Sequence, residues 1–389
     1  MKPHVLYIGA FAHKTGYAQA AHDYMLALHR AGVRLTIQPV VECNTDDLED
    51  RYEELIDLAT GTVAVDDPFT HVIVHTVPAH AWRYAERFGS DVTKIAITTW
   101  ETHCLPDEIG LSLDKYFDLV IVPSRFCADA MTTTRDSLKD KVVIVPHTFD
   151  PTHWPTQECP PPDSPFTFYS LLGWSERKNP IGLLKAYLAE FTNRDDVLLR
   201  LKVSGFSPDD LDSLTQACGL PADELPAIDI VTDYLDHEDV IGLHYDGHCF
   251  VTAARGEGWN LPAFEAAAIG KPVISPTFGG QMDFLDGYCN AFPVSFQLTP
   301  AISPPQVEPP VEIAGVRVRA VKSNKPSGIT ARQYWAEPSL WDLAKTMRAC
   351  YERRARTNSA DRRRFEQSYG YATIGARLIE LLNSKGQTR

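Results

Sequence analysis

The 389-residue sequence predicts an α/β chain built as two similar halves, each a parallel sheet covered by helices on both faces. Three observations carry that prediction. Short apolar runs of strand length alternate with helix-like segments from residue 5 to 145, and the alternation starts again at residue 166. Between the two series, residues 150–165 (D-P-T-H-W-P-T-Q-E-C-P-P-P-D-S-P) are dense in proline and lack periodicity, as a linker does. The chain is also long enough for two hydrophobic cores.

In the first half, Val5–Gly9 reads as the opening strand, and the loop Ala10–Gly16 leads into a helix from Tyr17 to Arg30 that stops at Gly32. Further strands are expected at Leu35–Val40, His71–His75, Ile95–Thr99, Leu119–Val122 and Val142–Val145. Helices are expected at Asp46–Ala59 and Ser124–Thr134, the latter with Ser124 as its cap. Ligands of such folds gather beyond the C-terminal ends of the strands, which singles out Gly9, His75, Glu101, His103, Ser124 and His147. His147 falls where the first half ends and is assigned no chemistry. The loop G-A-F-A-H-K-T-G lacks the G-x-G-x-x-G spacing of a dinucleotide site.

The second half opens with a strand at Phe166–Leu172, the turn G-W-S-E-R-K-N-P and a helix reaching Phe191. Strands follow at Val197–Val203, Ile228–Val231, Phe250–Thr252 and Val273–Ser275. Asp233 and Tyr234 come just after one of them. Residues 295–328 break the pattern with repeated prolines, then V-E-I-A-G-V-R-V-R-A-V alternates like a hairpin, so this segment reads as an insertion. A last helix is expected over Ala372–Leu382.

The most informative stretch is Arg255 to Leu285. It places Glu257 and Glu265 eight positions apart across a helix start at Leu261-Pro262, where proline suits the first turn. An alanine-rich run follows, which puts Glu265 in the first helical turn, favoured there by the macrodipole. Free N–H groups at such a start form an anion site, so one segment offers a diphosphate site flanked by two carboxylates. Gly279 and Gly280 form a tight loop whose N–H groups are expected to face a sugar or phosphate, with Asp283 just beyond.

The run E-G-W-N-L-P-A-F-E-A resembles the E-G-F-G-L-P-x-x-E-A signature of retaining GT-B glycosyltransferases, glycosyltransferase family four in particular. The resemblance implies two Rossmann-like domains whose parallel sheets face across a cleft. Residues 1–150 would be the acceptor domain, 151–165 the linker, 166–365 the donor domain, and 366–389 a helix returning to the first domain. It further implies that Glu257 contacts donor-sugar hydroxyls and that Glu265 binds the nucleotide ribose. Gly258, Asn260 and Leu261 complete the donor loop. Asn260 stands where the family has glycine, and asparagine tolerates the left-handed backbone that the turn needs.

Lys178 matches the family's diphosphate-binding lysine. Arg177 is adjacent to it rather than about five residues earlier, where this chain has Trp174. Gly16 falls in the small-residue loop near the donor phosphates, and Asp233-Tyr234 where the family often contacts the base. T-T-W-E-T-H-C-L-P resembles the W-E-T-x-x-x-P stretch of one family branch, which makes Glu101 and His103 candidates to bond an acceptor or donor hydroxyl. The implied co-substrates are a nucleotide-diphosphate sugar and an acceptor hydroxyl, by default on a glycan. No cofactor is implied, and no metal, since no D-x-D motif stands directly after a strand.

Composition bounds these expectations. The formal charge of −14 works against nucleic acid and anionic lipid. Residues 42–67 carry ten acids against one arginine, whereas residues 348–364 carry seven arginines against two acids. Solvated helix faces account for both runs. The arginine cluster is the only support for an alternative acceptor, hydroxymethylated DNA; a non-catalytic sugar- or nucleotide-binding scaffold is the other alternative. No apolar run approaches the roughly 18 residues of a membrane span. The N-terminus reads as a strand and not as a signal peptide, and eight scattered cysteines without a C-x-x-C pair fit reduced thiols in a cytoplasm.

Overall fold

Two six-stranded parallel sheets frame the computed structural model. It describes residues 3–11, 15–40, 50–58, 68–154, 160, 164–206, 210, 219, 221, 223–301, 306–307, 311–313, 316–318, 321–322 and 332–386. The first sheet holds β1 (His4–Gly9), β2 (Arg34–Pro39), β3 (His71–His75), β4 (Thr93–Ile97), β5 (Leu119–Val122) and β6 (Val142–Ile144), in the order β2-β1-β3-β4-β5-β6. The second holds β7 (Phe166–Gly173), β8 (Val197–Ser204), β9 (Ala227–Val231), β10 (Cys249–Val251), β11 (Val273–Pro276) and β12 (Ala291–Val294), in the order β12-β11-β10-β7-β8-β9. In each sheet the first strand lies inside and the chain winds outward both ways. That topology opens a crevice beyond the ends of β1 and β3, and another beyond β7 and β10.

Burial on both faces explains why the strands read as continuous apolar runs. Val5 and Tyr7 pack with Tyr24, Leu28 and Ile374 on one side of the first sheet. Leu6 and Ile8 pack with Ala81, Ile109 and Met131 on the other. The helix Gly16–Arg30 starts at Thr15, whose hydroxyl accepts the Ala18 N–H. It lies between the first sheet and the helix Tyr371–Gly386, which returns from the second half of the chain and adds Ile374, Leu378 and Leu382 to the first core. The two helices nearly touch backbone to backbone, because a Cβ on Gly375 would lie 2.6 Å from the Ala27 carbonyl oxygen.

Two segments differ from or extend the sequence reading. In place of an α-helix over Asp46–Ala59, the described part is a 3-10 helix, Asp50–Leu58; residues 46–49 and 59 lie outside the described residues. Tyr52, Leu55 and Leu58 all reach the core, and that spacing of three is the period of a 3-10 helix. The insertion is an antiparallel arm. Phe296–Pro300 pairs with Tyr334–Pro338, followed outward by Gln306–Val307 with Val321–Lys322 and by Val311–Ile313 with Val316–Val318. The arm's base touches both halves of the chain: Ala336 N–H donates to Arg255 O, and Gln333 donates to Thr102 Oγ1 and to the Cys104 carbonyl.

No described helix is long and apolar enough to cross a membrane. The five described cysteines are free thiols.

The close helix crossing is directly testable. Gly375→Ala should lower stability by about 1–3 kcal/mol, because the new methyl forces two packed backbones apart. Chemical denaturation of wild type beside the variant measures it, and an unchanged midpoint would mean that the last helix does not dock as described.

Candidate functional site

A cleft of about 550 Å³ opens beyond the C-terminal ends of the strands of both sheets. A side pocket of about 200 Å³ shares Gly16, Leu171, Leu261 and Pro262 with it. The first half supplies Gly16, Tyr17, His75, Glu101 and His147 to the cleft, and the second supplies Arg177, Lys178, Lys202, Glu257, Asn260 and Leu261.

At its centre one buried carboxylate meets two cations. Glu257 Oε1 accepts from Lys178 Nζ at 2.6 Å, and Glu257 Oε2 lies 3.2 Å from Arg177 Nη1. Arg177 also approaches Glu101 Oε1 at 3.8 Å and donates to the Gly256 carbonyl at 2.7 Å. The local chain explains the convergence. After β7 the turn closes on Asn179, which sits left-handed at φ 53° and accepts the Gly182 N–H, with Pro180 opening the next helix. The Arg255 N–H donates to the Arg177 carbonyl at 2.7 Å, so the two loops that carry the charges are bonded to each other.

Burial would push the Glu257 carboxyl up, but the Lys178 and Arg177 charges outweigh it and hold the group below the usual carboxylate range. Burial pulls the Lys178 ammonium below its ordinary value against the attraction of Glu257. It acts the same way on Arg177, where Glu257 and Glu101 more than compensate and raise the guanidinium.

The signature loop packs directly on the first domain. A Cβ on Gly256 would collide with the Glu101 carbonyl, and one on Gly258 with the Thr99 hydroxyl. Ser124, which caps the helix Arg125–Thr134, also donates its hydroxyl to Gly258 O at 2.8 Å. Asn260 takes the left-handed turn at φ 69°, and its Oδ1 accepts the Ala263 N–H to cap the helix Leu261–Ala268.

Glu265 is the fifth residue of that helix, one turn deeper than the sequence reading placed it, since Leu261 and Pro262 already fill the first two positions. Its Oε1 accepts from Gln19 Nε2 of the first domain at 2.7 Å, and its Oε2 lies 3.4 Å from His244 Nε2. His244 is fully buried, with its other ring nitrogen 3.0 Å from the Tyr169 hydroxyl. Burial would raise the Glu265 carboxyl, but His244 and Gln19 together hold it below the usual range.

Four residues singled out in the sequence sit elsewhere. The Gly280 N–H donates to the Glu257 carbonyl at 2.8 Å, and neither Gly279 nor Gly280 is among the described cleft residues. These glycines instead let two backbones meet, because a Cβ on Gly280 would overlap the Gly258 carbonyl. His103 faces the arm: its Nδ1 accepts the Tyr334 N–H at 3.0 Å, and its own N–H donates to the Tyr334 carbonyl. Asp283 accepts the first-domain Arg125 N–H at 2.8 Å and so ties the two halves together.

Conversely, Gln19, His244, Lys202 and the supposedly idle His147 belong to the site. His147 is one of the residues the strand-end rule singles out, although its place at the end of the first half gave it no assigned chemistry. Gln19 and His244 carried no sequence signal, since only folding brings them to Glu265. Among the described residues, no group of three or more His, Cys, Asp or Glu side chains is placed to hold a metal.

Solved structures share this architecture. Over 98% of this chain and 100% of theirs, HepE of Anabaena, solved with UDP and glucose, matches at a TM-score of 0.67 and 14% identity. A glycosyltransferase from Rickettsia africae matches over 100% of both chains at 0.68 and 13%. The lipopolysaccharide outer core galactosyltransferase WaaB matches at 0.63 and 12%, over 99% of this chain and 100% of its own. The chain has the GT-B fold. At these identities the GT-B likeness shows architecture alone. No family model and no curated protein sequence matches the chain.

The central ion cluster of this GT-B cleft predicts a pH signature. A carboxyl depressed by folding contributes stability that is present above its unfolded value near 4.5 and is lost as pH falls toward the folded value. Glu257→Gln should therefore cost about 1–3 kcal/mol at pH 7, leaving two cations without their shared partner. That gap should close below the unfolded value. Denaturation curves of both proteins from pH 3.5 to 8 measure it, and a pH-independent gap would contradict the assignment.

Proposed function

We propose that the protein is a glycosyltransferase that moves a sugar from a nucleotide-diphosphate sugar to an acceptor hydroxyl, by default on a glycan, with retention and without a metal ion. The observation that carries this reading is the convergence of Lys178 and Arg177 on Glu257 in the cleft of a GT-B fold. HepE, of the same fold, was solved with UDP and glucose, which supports a nucleotide-sugar donor here. Glu257 and Glu265 occupy the two carboxylate positions of the signature. The cation pair lines the same cleft as the start of the helix Leu261–Ala268, whose dipole adds to the attraction for a diphosphate.

In the reaction the bond between the anomeric carbon and the diphosphate oxygen breaks, and charge builds on the leaving oxygen. Lys178 and Arg177 turn from Glu257 to that oxygen, which leaves Glu257 to take hydroxyls of the transferred sugar. The acceptor oxygen bonds the anomeric carbon from the face the diphosphate leaves, and the acceptor proton passes to the departing phosphate. Stabilisation of the developing charge by these two cations, already desolvated in the cleft, contributes most to lowering the barrier. Glu265 takes the ribose hydroxyls in the side pocket, and Gly16 gives the phosphates room beside Leu261.

Of the seven arginines that would serve a DNA acceptor, three are held by partners within the chain. Arg348 pairs with Glu190 and Asp195, Arg362 donates to the Pro151 and Trp154 carbonyls, and Arg364 donates to the Phe284 carbonyl. A glycan acceptor is therefore the reading retained.

Nucleotide released from UDP-, GDP-, ADP- and dTDP-sugars tests the class. One donor should be cleaved, Glu257→Ala should abolish release, Lys178→Ala should lower kcat by about 10²–10³, and a chelator should leave the rate unchanged. NMR of the product should show the donor's anomeric configuration. Calorimetry that finds no donor bound would favour a non-catalytic scaffold.

A further inference from the structure

We infer that the first-domain wall of the cleft selects an uncharged, hydroxyl-rich ring as acceptor and turns away phosphorylated ones. The inference rests on the transferase reading above and names the acceptor class for that site.

Charge is divided unevenly across the cleft. Its cations, Arg177, Lys178 and Lys202, all come from the second domain, where they face the place for a diphosphate. Among the described residues, the first-domain wall carries one formal charge, that of Glu101, and it is negative. The two histidines of that wall add none at neutral pH, because burial pushes both His75 and His147 down to about 3.

What the wall offers is aromatic and polar but neutral. Tyr17 and Tyr24 lie 5.8 and 5.7 Å from His75, ring centre to ring centre, and Tyr24 lies 5.5 Å from His147. His147 meets Trp259 of the signature loop edge to face at 5.7 Å. Thr98 and Thr99 bring hydroxyls to the same side.

Two polar atoms here have no partner. His147 Nδ1 and Trp259 Nε1 are both buried and make no hydrogen bond, although their residues are only 7% and 3% exposed. Buried polar atoms ordinarily find partners, so each unpartnered atom on a residue that lines the cleft marks a place where a ligand or water can complete it. The indole nitrogen only donates, whereas a neutral imidazole nitrogen donates or accepts according to tautomer. A hydroxyl can do both, so sugar hydroxyls suit either atom once the wall opens to admit them. A phosphate ester brought to the same wall would lose water, meet Glu101 and find no first-domain cation among the described residues.

The experiment uses the full chain and the donor identified by nucleotide release. Neutral mono- and disaccharides, their phosphate esters and a hydroxymethylated DNA oligonucleotide are compared as acceptors, by stimulation of release and by saturation-transfer NMR on donor-loaded protein. Neutral sugars should bind and stimulate, with kcat/KM about tenfold or more above the matched esters. Glu101→Gln should narrow that ratio, a readout in which any general loss of activity cancels. Trp259→Phe should raise the acceptor KM about tenfold while the melting temperature confirms folding. Esters or DNA used as well as neutral sugars, neutral sugars that neither bind nor stimulate, a ratio unmoved by Glu101→Gln, or an unchanged KM in Trp259→Phe would each overturn the inference. A donor cleaved under any of those outcomes leaves the transferase reading standing; a chain that binds no donor ends both.

Discussion

The Glu257 carboxylate, held between Lys178 and Arg177, is the interaction on which the site's geometry depends. A buried carboxylate without partners would be neutral at pH 7, and two adjacent buried cations would repel each other and draw in water. Glu257 and the two cations favour each other's charged forms. The cluster thus stores two positive charges close to where a diphosphate would lie, in side chains already desolvated and bonded into loops. A ligand that brings its own negative charge can replace Glu257 at little reorganisation cost, which is the condition for strong electrostatic stabilisation.

Much of the surrounding architecture serves that cluster. Gly256 and Gly258 let the signature loop approach the first-domain backbone near Thr99 and Glu101, and Gly280 lets a second loop press against the first. With any side chain at those positions the two domains would stand farther apart, and Glu101 would lose its place beside Arg177. The left-handed Asn260 turns the chain from loop to helix and caps the same helix with its side chain. Asparagine at that position therefore does more than a glycine could.

The alternation of strands and helices was legible because strands buried on both faces must be apolar throughout, and helix-like segments separate them at regular spacing. Glu257 and Lys178 were legible because their neighbours along the chain form the turn and the helix start that position them. Gln19 and His244 were not, since each reaches Glu265 from another element and nothing local marks the contact. His103 shows the opposite failure. A residue just past a strand end can point into the crevice or away from it, and here the returning arm takes it away. His147 and Gly280 follow the same logic, for a backbone path does not reveal which groups another loop will occupy.

The seam between the domains runs through the donor loop itself. Ser124 bonds Gly258, Arg125 bonds Asp283, and Gln19 bonds Glu265, so each contact joins the first domain to the stretch from Gly256 to Leu285. Gln19 reaches the carboxylate assigned to the ribose, and a ribose that took that oxygen would compete with the seam. By linkage, whatever holds the domains together must then change the affinity for the nucleotide, and the nucleotide must change the closure by the same factor. The other two contacts, Ser124 to the Gly258 carbonyl and the Arg125 N–H to Asp283, use no oxygen of Glu257 or Glu265, so a ligand on those carboxylates would not compete with them. On the proposed function, a loosening confined to the Gln19 contact would leave the bonds of Ser124 and Arg125 in place, and the cation pair with them, while the donor exchanges.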